Sequence, residues 1–163
     1  MRELSVKELK IGNIVSHQDY GGLFVVDTIE KNEDGEYIIV TLGGKNETWV
    51  NSIHLIEPVP ITKGLLLYIG FIKATNKLAD DKLVYEISQG QGNILQLNSH
   101  SGSIWDVYTN WNGRMNYITA TGAAPVYMHQ LQNLYYEINH RDLIETETLK
   151  MLTKIKLELE LEQ

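Results

Sequence analysis

The chain has 163 residues, 43% of them hydrophobic and 21% charged, which fits one larger domain or two small ones and excludes a disordered composition. Lys and Arg number 14 against 21 Asp and Glu, a formal net charge of −7 with no basic run, and this argues against phosphate-driven nucleic-acid binding. The lack of cysteine removes disulfides, thiolate nucleophiles and Cys-based zinc sites together and is compatible with a reducing, cytoplasmic setting.

The opening MRELSVKELK carries charges where a secretory signal needs an apolar stretch. No window approaches the ~20 apolar residues of a membrane helix, so no membrane association is expected. Leu4 to Leu9 reads as a short lead-in, and Ile11 to Val15 starts a first strand. Leu23 to Ile29, Glu36 to Leu42, Thr48 to Val50 and a last piece at His54 to Ile56 follow as β-rich runs. Asp34-Gly35 and Gly43-Gly44 supply the positive φ of tight hairpins. In Glu36 to Leu42 both alternating faces are apolar, which suggests a strand buried on two sides and hence a small closed barrel.

Pro58 and Pro60 mark a boundary. Thr62 then caps a short helix carrying Leu65, Leu66, Tyr68 and Ile69, and Gly70 ends it. Phe71 to Ala74, Lys82 to Ile87, Asn93 to Leu97 and Ile104 to Tyr108 read as strands of a sheet covered on one face. Asn112-Gly113 is a type I′ signal that folds Ile104 to Asn110 back onto Arg114 to Thr119.

From Pro125, a proline suited to a first helical position, the spacing of Tyr127, Leu131, Leu134, Tyr135 and Ile138 predicts an amphipathic helix over 125–139. That apolar stripe is expected to lie across the second sheet. The opposite side gathers His129, Gln132, Asn133 and Tyr136. In the tail, Ile155, Leu157, Leu159 and Leu161 alternate with charged residues and predict a terminal strand from about Thr153.

The succession LKIGNIV, LFVVDTIE, YIIVTLGG and TWVNSIHLIEPVPIT resembles the opening of a family of small uncharacterised proteins common in Bacteroidetes genomes and their phage-like mobile elements. VYMHQLQNLYYEI is similar to that family's most recognisable run, an aromatic residue followed by HQLQNLY. The resemblance covers roughly residues 7 to 140, is weakest between Ser99 and Ala124 and after Arg141, and carries no established activity. It implies an N-terminal SH3-like barrel, in agreement with the strand reading. The expected fold is therefore α+β: an SH3-like barrel over residues 1–58, and an α+β domain over 61–141 in which a short and a longer amphipathic helix pack an antiparallel sheet. A C-terminal extension occupies 142–163.

No constellation for catalysis emerges. His17, His54, His100, His129 and His140 are scattered without helical metal-site spacing, and Asp80-Asp81 or Asp142 with Glu145 lack anything to complete a site. Gly21-Gly22 and Gly90-Gln91-Gly92 are followed by no helical pattern and read as turns rather than phosphate loops. His100, within NSHSGS, reads as turn chemistry rather than a nucleophile site. Trp49 and Trp105 read as core, and Trp111, beside the turn, as exposed.

The expectation is a non-enzymatic protein-interaction module without metal or cofactor, contacting an unidentified protein partner through His129, Gln132, Asn133, Tyr136 and Trp111. Homo-oligomers through the terminal strand are a further expectation. The alternative is a nucleic-acid-associated accessory protein of a phage or other mobile element, with the acidic balance against it.

Overall fold

The alternating runs of the first sixty residues form β1 (Ile14–His17), β2 (Phe24–Lys31), β3 (Tyr37–Leu42), β4 (Thr48–Ser52) and β5 (Ile56–Pro58). These and all elements below belong to a computed structural model that describes residues 4–19, 22–42, 48–74, 84–90, 93–101, 104–112, 114–118, 124–144 and 148. By its contacts the chain divides into two units, Met1–Val59 with Tyr127–Gln163, and Pro60–Val126. The fold is α+β, with antiparallel sheets and helices.

In the first unit the sheet order is β4-β3-β2-β1-β5, so consecutive strands are neighbours and the last returns beside the first. The β2–β3 turn closes as the Asp34-Gly35 signal requires, with Gly35 at φ +82° and the Glu36 amide donating to Asn32 Oδ1 at 2.8 Å. β1 starts later than expected because Lys10 to Asn13 is a turn: Gly12 has φ +87°, and the Lys10 amide donates to Asn13 Oδ1 at 2.7 Å. The expected piece at His54 to Ile56 is a 3₁₀ turn, Ile53–Leu55, leading into β5. Leu4, Leu9, Val15, Phe24, Val26, Ile39 and Ile56 form the core, with Trp49 packed on it partly buried. β3 is not buried on two sides as the sequence suggested: Ile39 and Thr41 are covered, while Ile38 and Val40 on the other face remain half-exposed.

In the second unit Thr62 caps α1 (Lys63–Tyr68), its hydroxyl accepting the Leu65 amide at 3.2 Å. A Schellman motif ends it, with Phe71 N–H on Leu66 C=O, Gly70 N–H on Leu67 C=O, and Gly70 at φ +99°. β6 (Ile72–Lys73), β7 (Val84–Gly90), β8 (Asn93–Ser101), β9 (Ile104–Trp111) and β10 (Arg114–Tyr117) make a meander in the order β10-β9-β8-β7-β6. Asn112 at φ +51° is the positive-φ turn position expected between β9 and β10. One face carries buried Tyr85, Leu95, Leu97, Trp105 and Val107, with Tyr85 edge-on to Trp105 at 5.8 Å.

The helix α2 (Met128–Asn139) corrects two expectations. It begins three residues after Pro125, with Tyr127 still extended and the Gln130 side chain accepting the Tyr127 amide at 3.2 Å. It also belongs to the first unit rather than to a domain spanning 61–141, and packs beside β1. The Met128 amide donates to Val59 C=O at 2.8 Å. The helix closes on His140 in the left-handed conformation, φ +53°. The terminal strand from Thr153, the rest of the 142–163 extension past Ile144 apart from Thr148, and the Gly43-Gly44 turn lie outside the described residues.

Candidate binding surface

The turn at Lys10 to Asn13 leaves backbone groups at the entrance of β1 that no strand pairs, and α2 supplies their partners. The Gln132 side chain accepts the Ile14 amide through Oε1 at 2.8 Å and donates through Nε2 to Gly12 C=O at 2.9 Å. One turn-neighbour along, Asn133 Nδ2 donates to Glu8 C=O at 2.8 Å, and Asn133 Oδ1 accepts from Asn13 Nδ2 at 3.0 Å. Two adjacent amides thus pair backbone groups of Glu8, Gly12 and Ile14, as covered backbone demands. The side of α2 that is covered is Met128, His129, Leu131, Gln132 and Tyr135, while Leu134 and Ile138 of the expected stripe are half-exposed.

Four of the five residues expected to bind a partner lie on this helix, and the structure places them differently. His129 is fully buried (0% exposed), its ring stacked on Tyr127 at 5.9 Å, and Gln132 is buried in the clamp just described. Asn133 is half-buried and committed to Glu8 and Asn13. Only Tyr136, 44% exposed, faces outward, and Lys10 Nζ sits over its ring at 5.2 Å while also reaching Glu137 at 2.6 Å. The hydrogen bond and charge of Lys10 hold the Glu137 carboxyl below its ordinary range. The row that looked like a recognition face is therefore a fastening within the first unit.

Trp111, the fifth, is open at 47%. It belongs to a group, because the same hairpin exposes Met115 at 51% and Tyr117 at 46%. The strand register explains the arrangement: Trp111 pairs with Arg114 on one face, whereas Met115 and Tyr117 pair with Asn110 and Tyr108 on the other. On that second face a row crosses the sheet through Ile72, Glu86, Gln96, Tyr108 and Tyr117, directly opposite one another from β6 to β10. Tyr108 and Tyr117 lie with ring centroids 4.9 Å apart. The Tyr117 hydroxyl donates to Asp106 Oδ1 at 3.0 Å, and Gln96 Nε2 donates to Asn98 Oδ1 at 2.9 Å. Burial, then the Asp106 charge, then Tyr117, push the Tyr108 phenol up. Among the described residues this face carries Glu86 and Asp106 and no Lys or Arg.

Met115 escaped the sequence reading. The available signal was RMNY, an apolar residue alternating with polar ones immediately after a tight turn, where a short edge strand has little to bury it. Of the other histidines, His17 is buried in β1, His54 is exposed and His140 caps α2, and the His100 side chain lies outside the described residues, as do Asp80, Asp81 and Glu145. Among the described residues no group of three or more His, Asp or Glu is placed to hold a metal ion, and no helix is long and apolar enough to cross a membrane.

Comparison with known proteins gives no match to any family model, to any curated protein or to any solved structure.

Proposed function

We propose that the chain is a non-enzymatic protein-interaction module that contacts its partner through the β9–β10 hairpin. The observation that supports this is the exposure of Trp111, Met115 and Tyr117, three large side chains within seven residues of one hairpin. Exposed apolar side chains scattered singly are ordinary, but a group of them at a hairpin is the kind of surface that partners cover. Trp and Tyr bury large area at small entropic cost while keeping a polar tip, which suits them as anchors. The residues first expected to bind, His129, Gln132 and Asn133, now serve to position the first unit, which we read as a small SH3-like barrel. The return of β5 beside β1, with a 3₁₀ turn before it, is the strand order such a barrel has. Its role is a scaffold.

A photoreactive phenylalanine analogue in place of Met115, and separately in place of Glu33 at the distant β2–β3 turn, tests the reading in cells. The expected result is a protein adduct from position 115 and none from 33. Adducts of equal yield from both positions, or from neither, would contradict it.

A further inference from the structure

The sheet face that carries Tyr108 and Tyr117 holds polar groups which the hairpin contact does not use. Going beyond that contact and standing without it, we propose that this face binds a neutral oligosaccharide, with sugar rings against the two tyrosines and hydroxyls on the amides of Gln96 and Asn98. The first observation is a preformed platform. Tyr117 is an exposed ring on an edge strand, yet its hydroxyl is held at 3.0 Å by Asp106, whose own side chain is buried. Tyr108 adjoins it with centroids 4.9 Å apart and a tilt of 39°, so two aromatic surfaces sit side by side. The negative face of an aromatic ring attracts the polarised C–H groups that line one side of a pyranose, and rings already held in place lose little entropy on binding.

The second observation is a pair of oriented amides next to that platform. Gln96 lies directly opposite Tyr108 on the neighbouring strand, roughly 5 Å away. Its Nε2 donates to Asn98 Oδ1 at 2.9 Å, which orients both side chains and leaves Gln96 Oε1 as an acceptor and Asn98 Nδ2 as a donor on a half-exposed surface. A sugar hydroxyl both donates and accepts, so neighbouring hydroxyls can use such an acceptor and donor together.

The third observation selects an uncharged occupant. Among the described residues the face has no cation to receive a phosphate or sulfate. Nor does it offer an open carboxylate beside the rings for an ammonium or guanidinium group: Asp106 is buried and engaged with Tyr117, and Glu86 stands two strands from Tyr108, roughly 10 Å away. A hydroxyl-bearing neutral ligand needs neither. An extended peptide would add along the outer edge of β10, whereas the amide pair lies on β8, two strands inward, where a ligand crossing the face meets it.

The full-length chain is titrated calorimetrically with four uncharged sugars: cellohexaose, xylohexaose, maltohexaose and chitohexaose. At least one is expected to bind, with an affinity that changes by no more than about twofold as salt rises, because no ion pair forms. Tyr117→Ala should weaken that sugar by about tenfold and Gln96→Ala by about threefold or more, both with unchanged circular dichroism. Tyr37→Ala, which removes an exposed ring of the first unit, should leave it unchanged. Failure of all four sugars to bind overturns the proposal, and so does sugar binding that Tyr117→Ala and Gln96→Ala leave intact. Tyr117-dependent binding of an oligothymidylate or of an Arg-bearing peptide that exceeds every sugar and fades with salt would replace the glycan by a charged ligand, and overturns it as well. None of these results bears on the crosslink from position 115, which tests the protein contact by itself.

Discussion

The Gln132 side-chain oxygen accepts the Ile14 amide proton at 2.8 Å across 118 residues of sequence, and its nitrogen returns a bond to Gly12 C=O at 2.9 Å. A single amide so occupies the place of a missing strand residue at the start of β1. Gln132→Leu keeps the volume but strands one buried donor and one acceptor. The expected loss is about 2–4 kcal/mol in urea unfolding. Gln132→Glu retains the acceptor and loses the donor at neutral pH, so its deficit should shrink on acidification as the carboxyl becomes a donor again.

The Lys10–Glu137 pair joins the same turn to α2 at the surface. Because the folded Glu137 carboxyl lies below its ordinary range, its contribution is present at neutral pH and is lost as pH falls through that lowered value. Glu137→Gln should therefore differ from the parent near neutrality and converge with it in acid, a comparison that thermal melts across pH read directly. The difference at neutrality should be small and should fade with added salt, since both side chains are exposed.

The second sheet carries a signature at the other end of the pH scale. Burial raises the phenol of Tyr85, and burial followed by the Asp106 charge raises that of Tyr108. A group whose folded value is raised stabilises the fold below its unfolded value and ceases to do so as pH rises. Ultraviolet titration of phenolate should show a late-ionising component, and Tyr108→Phe should reduce it. Asp106→Asn should bring the Tyr108 transition down while leaving Tyr85 where it is.

His140 ends α2 at φ +53°, a conformation in which a Cβ is costly. His140→Gly should raise stability by about 0.5–1 kcal/mol, measured by denaturant midpoint at constant slope. A loss instead would show that the imidazole contributes more than the backbone strain costs.

The elements that were legible in the sequence are those whose signals are local. Thr62 and Gly70 bracket α1 by capping chemistry, Asn112-Gly113 sets the β9–β10 hairpin, and the alternation within Lys82 to Ile87 puts Tyr85 on the covered face of the second sheet. The existence of α2 was equally plain from its periodicity. What periodicity cannot say is which side of a helix has buried amides, because Gln132 and Asn133 are covered only by virtue of a turn 118 to 125 residues earlier that needs their hydrogen bonds. Two adjacent amides in a helix otherwise rich in Leu and Tyr, together with Gly12-Asn13 at a strand entrance, were the available hint. The same non-local pairing moved the helix from the expected second domain to the first unit.

The polar side of α2 is committed to the fold, and the hairpin of the second sheet is open. Hydroxyl-radical footprinting of the intact chain reads both through two methionines, Met128 at 0% exposure and Met115 at 51%, with His129 and Trp111 as companions. The account predicts rapid oxidation of Met115 and Trp111, with Met128 and His129 spared until the chain unfolds. Oxidation of Met128 and His129 at the rate of Met115 in the native protein would contradict it.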